Sequence, residues 1–210
     1  MKKTLITLAA AAVLFSACNQ AEKTSSNDHS ATNHQPIKEK NVMMQAMDES
    51  MMAMHKAKQT GNPDYDFASM MIPHHEGAIV MAEAVVKNGK SPELISFANK
   101  IIEAQKKEIK MLQDFLKTAS QKPSNNADKF KTTLNNSMNP MMEGMSKVKL
   151  TDNIENDFVA LMIPHHQSAV DMAKAYLPYS NNTHIQLMAE DIIKAQEEEI
   201  KWLNTQLNKF

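Results

Sequence analysis

The sequence predicts an all-α bundle built from one three-helix unit used twice, and three observations carry that prediction. Met71-Ile72-Pro73-His74-His75 returns as Met162-Ile163-Pro164-His165-His166, an offset of 91 residues. The same offset superposes much of the chain without a gap: Asp66-Phe67 falls on Asp157-Phe158, Met81-Ala82 on Met172-Ala173, Gln105 on Gln196 and Glu108 on Glu199. A fixed-period self-match sets the architecture before any residue is given a role. Finally, apolar residues recur at helical spacing, and no stretch alternates with the period of two that marks a strand.

The chain opens Met1-Lys2-Lys3, runs apolar from Leu5 to Phe15 and reaches Ser16-Ala17-Cys18. A basic start, a short apolar run and small residues before a cleavage point predict a secretory signal over residues 1–17. The apolar run, about 11 residues, is too short to span a bilayer, which takes about 20. Cys18 stands where a bacterial lipoprotein signal places the residue that becomes lipidated. An ordinary signal peptide with an incidental cysteine is the alternative. Asn19, rather than Asp, favours the outer membrane. The expectation is a protein of the bacterial envelope, facing periplasm or exterior and held to the membrane by its lipid alone. Residues 18–40 are rich in Ser, Thr, Asn, Lys and Glu, the composition of a disordered tether. His29 and His34 read as solvated tether residues, with weak metal capture as the alternative.

Composition narrows the partners. Cys18 is the single cysteine, which excludes a disulfide framework or a thiolate metal site. Removing Lys2 and Lys3 from the 23 basic residues leaves 21 against 24 acidic, a formal charge of −3, and the chain has no arginine. A mildly acidic chain without a basic patch is a poor nucleic-acid binder.

Residues 41–210 divide into unit one, 41–118, and unit two, 128–210, joined by a polar stretch containing Lys122-Pro123. The first helix, predicted from Asn41 to Lys58, carries Met43, Met44, Met47, Met51, Met52 and Met54. Five of these share a stripe about 120° wide with His55, and Met52 lies at its edge. Gly61-Asn62-Pro63 ends the segment. Unit two repeats it with Leu134, Met138, Met141, Met142 and Met145, interrupted by Pro140 and loosened by Gly144. Methionine fills irregular core gaps well, so such a stripe reads as packing. The first stripe, however, contains no Leu or Ile, and thioether metal binding stays open beside packing.

Asp66 and Asp157 are the expected N-caps of the second helix in each unit. Phe67, Met71, His74, His75, Ala78, Met81, Ala82 and Val85 form one apolar face, with the histidines astride its centre. Pro73 and Pro164 are expected to bend or restart these helices just before the histidines. Met71 and Met162 lie one turn before His75 and His166 on the same side. In the third helix Ser91 caps and Pro92 occupies the first turn. Its apolar face runs through Leu94, Ala98, Ile101, Gln105, Glu108 and Leu112, and unit two repeats the polar pair as Gln196 and Glu199. A carboxylate facing a core needs a partner, and the histidines are the candidates.

Bundles build metal sites from side chains on facing helices. Imidazole suits copper, zinc, iron and nickel, whereas thioether sulfur selects Cu(I). Zinc or iron stays open but explains the histidines without the methionines; copper explains both. The candidate ligands are His74, His75, His165 and His166 with Met47, Met51, Met54, Met71, Met138, Met142, Met145 and Met162. Glu108, Glu199, Gln105 and Gln196 orient the imidazoles or ligate directly. Two other readings stand beside this one. A buried His–Glu network can simply hold the two halves in register. A di-iron metal oxidase needs inward Glu-x-x-His spacing, which these helices lack. No hydrolase nucleophile is recognisable.

Asp66-Phe67, then Met71-Ile72-Pro73-His74-His75, Ala78 and Met81-Ala82, followed by Gln105-x-x-Glu108-Ile109, resembles the domain-of-unknown-function family 305. The resemblance runs from about Asn41 to the C-terminus, and the doubled His-His motif is its specific part. It implies a ferritin-like helical bundle, an envelope location and copper handling in at least some members, through the four histidines, the methionines in step with them, Glu108 and Glu199. Gln167-Ser168 replaces Glu76-Gly77, and Leu161 replaces Met70, so the two halves are expected to differ in affinity. The expected function is Cu(I) sequestration or transfer rather than catalysis, with a copper-handling protein as partner.

Overall fold

Caps and prolines set the helix boundaries. The computed structural model describes residues 41–210; the expected signal over 1–17, Cys18 and the expected tether to residue 40, with His29 and His34, lie outside the described residues. Helix α1 spans Val42–Lys56 and opens under Asn41, whose side chain accepts the Met43 N–H. The turn after it needs Gly61 at φ 81°, a left-handed conformation that suits glycine. Helix α2 spans Pro63–Asn88 and α3 Pro92–Leu116, the latter capped by Ser91 as expected. Unit two contains α4 (Ala127–Asn136), α5 (Asn139–Lys147), α6 (Ile154–Tyr176), a short 3-10 turn at Leu177–Tyr179 and α7 (Thr183–Gln206). The described residues are all-α, with no strand among them.

Three local expectations need correction. The caps of α2 and α6 are Asn62 and Asn153, each accepting two backbone N–H groups of the first turn, not Asp66 and Asp157. Asn62 and Asn153 have the extended backbone that a cap requires, whereas the two aspartates already lie inside the helix. There they tie down the incoming loop: Asp66 accepts from the Thr60 N–H and hydroxyl and the Gly61 N–H. Asp157 accepts from Thr151 in the same way, and also from the Asn41 amide at 2.7 Å. Second, unit two is not a three-helix unit: its methionine segment, interrupted at Pro140 as expected, forms two helices, since Pro140 has no N–H with which to continue α4 into α5. Third, Pro73 and Pro164 restart nothing; α2 and α6 run through them. The Ser50 hydroxyl of α1 donates to the Pro73 carbonyl at 3.0 Å.

Residues 41–210 pack as one compact unit rather than two. At its centre α2 and α6 lie against each other, with α1 and α3 on α2, and α4, α5 and α7 on α6. The pair is antiparallel, because the start of each helix binds the turn after the other. Asp64 of α2 accepts the Asn181 and Asn182 N–H groups and the Tyr176 hydroxyl. Glu155 of α6 accepts the Lys90 and Ser91 N–H groups. These residues correspond under the 91-residue offset, so the two repeats are related by an approximate two-fold axis. Phe67 and Tyr176 stack at 4.4 Å in the core. Burial and the Asp64 carboxylate hold the Tyr176 phenol above its ordinary pKa. No described helix is long and apolar enough to cross a membrane.

Candidate metal centre

The two-fold relation carries the histidine pairs to the middle of the molecule. Each Ile-Pro-His-His sequence lies near the middle of its central helix, and the antiparallel crossing brings the His74 and His165 rings to 3.9 Å between centroids. His75 and His166 lie outward, 6.1 and 6.2 Å from their neighbours. All four are buried. Burial, then the neighbouring imidazoles, push the His74 and His165 pKa values well below the usual histidine range. Both rings are therefore neutral at pH 7 and carry the lone pair a metal requires.

Glu108 of α3 brings Oε2 to 2.7 Å from His75 Nε2, and Glu199 of α7 repeats this on His166 at 3.0 Å. These are close approaches without the alignment of a hydrogen bond, since every ring nitrogen of the four histidines is buried without an aligned partner. The His74 and His165 rings each feel the backbone of the other histidine weakly, in the sense that favours protonation. That approach too falls short of a hydrogen bond. Gln105 Oε1 and both terminal atoms of Gln196 are buried and unpartnered as well. Buried polar atoms nearly always find partners, and this concentration of orphans on four histidines and two glutamines marks a place with unspent donor capacity. Among the described residues no three His, Cys, Asp or Glu side chains converge into a ready cage. The quartet thus needs rearrangement or sulfur ligands to complete a coordination sphere.

Sulfur is concentrated elsewhere. Met51 and Met54 of α1, Met70 of α2, and Met138, Met141 and Met142 at the α4–α5 break line one pocket of about 470 Å³, together with His55. The Gln59 amide donates to the Met70 sulfur at 3.6 Å. Both units contribute, and the break at Pro140 turns Met138, Met141 and Met142 toward the pocket. Of the methionines named from sequence, Met51, Met54, Met138 and Met142 meet there. Met47, Met71, Met145 and Met162 are buried in the core and do not line it. Met70, Met141 and His55 join although sequence reasoning did not select them as ligands. Their signal was faint: His55 shares the α1 stripe, Met70 precedes the repeated motif, and Met141 lies in the second methionine segment.

The model for the family described as Domain of unknown function (DUF305) matches the chain over residues 12–116 and again over 64–207. Among solved structures, the chain is similar to CopM in the Ag-bound form (by soaking). That match has 31% identity and a TM-score of 0.52, covering 68% of this chain and 92% of that one. CopM in the Cu(II)-bound form is 28% identical, with a TM-score of 0.52 and 68% and 93% covered. CopM in the Cu(I)-bound form is 31% identical, with a TM-score of 0.50 and the same coverage. No curated protein matches the chain. The doubled histidine motif, the offset of its two copies and the family match over both repeats agree: this chain belongs to the DUF305 family.

Proposed function

We propose that this protein binds copper, as Cu(I), for sequestration or transfer. The observation that carries the reading is the pocket in which six methionines and His55 converge from both repeats. Thioether sulfur discriminates strongly in favour of soft Cu(I) over zinc, calcium or magnesium. A pocket wall of flexible, polarizable side chains can adjust to an ion without a rigid preformed cage. The histidine quartet supplies a second, buried site, in which burial holds His74 and His165 neutral and Glu108 and Glu199 approach His75 and His166. Similarity to CopM, solved in Ag-, Cu(II)- and Cu(I)-bound forms, supports the same metal class. A purely structural His–Glu network fits less well, because such a network stabilises through satisfied hydrogen bonds, and beyond the close approach of Glu108 and Glu199 these ring nitrogens have no aligned partner.

Competition against a chromophoric Cu(I) chelator under anaerobic conditions tests the reading. The wild type is expected to withdraw copper from the chelator. Replacing Met51, Met54 and Met141 by leucine should weaken that binding at least tenfold, about 1.4 kcal/mol. Leucine for methionine conserves volume and typically changes stability by under about 1.5 kcal/mol per site, so the variant remains folded. Wild-type affinity in the leucine variant, or no copper uptake by the wild type, overturns the proposal.

A further inference from the structure

The packing of α3 beside α7 leaves two surface grooves that the repeat relates to each other. One, of about 630 Å³, is lined by Glu108, Met111, His184 and Met188 among others; the second, of about 540 Å³, by Glu199, Trp202, Glu93 and Phe97. These two sets correspond residue by residue under the offset of 91. Each groove therefore ends on the glutamate that approaches a buried imidazole: Glu108 on His75 and Glu199 on His166. With side chains 21% and 22% exposed, the two glutamates stand between solvent and the histidine quartet.

The equivalence ends at the other linings. Where the second groove has the stacked rings of Phe97 and Trp202, 3.9 Å apart, the first has two thioethers, Met188 and Met111. Where the second has Glu93, the first has the exposed imidazole of His184. Charge alone does not favour the first groove for a cation. It sets Glu103, Glu108 and Asp191 against Lys100 and Lys107, while the second sets three carboxylates against Lys100. Donor softness reverses that order for Cu(I), which prefers sulfur and imidazole to carboxylate.

We propose that the first groove is the way in for Cu(I), with His184, Met188 and Met111 capturing the ion and Glu108 passing it to the His75 ring. The inference rests on the copper-binding reading above and adds a route and a direction to it. The ion keeps its charge throughout and only exchanges ligands. Because neither His75 nitrogen has an aligned hydrogen-bond partner, the arriving ion breaks none there. The second groove, alike in shape and different in donors, is an internal control.

The experiment uses the full chain with Ag(I) as a non-oxidising probe, read by NMR of methionine methyl groups and histidine Cε1–H signals. Sub-stoichiometric Ag(I) is expected to shift Met111 and Met188. In a rapid-mixing measurement, a His184→Ala/Met188→Leu variant should slow loading of His74, His75, His165 and His166 at least tenfold, with the final imidazole shifts unchanged. Glu93→Ala, the equivalent change in the second groove, should leave the rate unaltered. Wild-type loading in the double variant, or equal slowing by Glu93→Ala, overturns the route. If the wild-type imidazoles never respond while Met51 and Met54 do, the route falls and the thioether pocket stands; if neither responds, both readings fall.

Discussion

Gln105 and Gln196 distinguish a metal site from a structural core more sharply than the histidines do. Both are buried, and Gln105 Oε1 and both terminal atoms of Gln196 lack partners. An unsatisfied buried polar group costs about 1–3 kcal/mol, which a core evolved for stability alone would have shed. Gln105→Leu is therefore expected to stabilise the metal-free protein by about 1 kcal/mol, or about 2–4 °C in melting temperature for a domain of this size. Calorimetry checks this. The same variant should bind copper more weakly at the histidines. Loss of stability instead would mean that the amide holds the core together, and would favour the register-keeping alternative. At this scale the sequence revealed which side of a helix a residue takes but not how far in it ends. His74, His75, His165 and His166 are buried as their position on the apolar face required. Met47 shares the face of Met51 and Met54 yet ends in the core, because only the opposing helix decides where a cavity opens. His55, Met70 and Met141 were missed for the same reason: their pocket forms between the repeats, which no single helical wheel contains.

Between elements, the contact of α1 with α2 is set by one glycine. A Cβ on Gly77 would lie 2.6 Å from Ser50 Cβ and 2.8 Å from its hydroxyl oxygen. Gly77→Ala must therefore push α1 away. Overpacking typically costs about 1–3 kcal/mol, and the better helix propensity of alanine offsets at most about 1, leaving a net loss of about 1 kcal/mol in urea unfolding. Because α1 carries Met51 and Met54 into the pocket, copper binding should weaken too. An unaltered midpoint and affinity in Gly77→Ala would show that α1 is not held there. Unit two has Ser168 in place of Gly77 and Met141 in place of Ser50, so its packing follows a different rule: Gly144 of α5 approaches Pro164 of α6 instead. The helices themselves were legible from periodicity. Their fine punctuation was less so. An aspartate four residues into a helix and an asparagine at its cap are both plausible caps by composition, and only the backbone around Asn62 and Asn153 decides between them. That Pro73 leaves its helix unbroken was likewise hidden, since a helical pattern does not show how tertiary packing outweighs the N–H that proline lacks; the Ser50 hydroxyl, 23 positions away, anchors α1 on the Pro73 carbonyl.

For the whole molecule, the duplication visible as a sequence offset becomes an interlock. Each repeat supplies one carboxylate to the turn of the other, Asp64 to Asn181 and Asn182, Glu155 to Lys90 and Ser91. No local pattern announces these acids, whose partners lie 64 to 118 positions away. Self-complementary contacts across a two-fold come in pairs, as in a symmetric dimer, and the histidine quartet lies near the axis between them. Hydrogen bonds to charged groups contribute about 1.5–3 kcal/mol each, and an orphaned buried donor about 1–3 kcal/mol. Asp64→Ala and Glu155→Ala should therefore each lower stability by about 2–3 kcal/mol, or roughly 5–10 °C in melting temperature. The two clasps lie at opposite ends of the α2–α6 pair. With α2 about 39 Å long at 1.5 Å per residue, their effects should add in the double variant, since sites more than about 10 Å apart rarely couple. The unfolding transition should stay single, because the repeats share one core. Two separated transitions would show instead that each repeat folds alone and that the clasps merely dock them. The copper readout then follows from position. Loosening the clasps should lower affinity at the histidines, which both repeats must bring together, and unchanged affinity in the double variant would remove the histidines from the binding site.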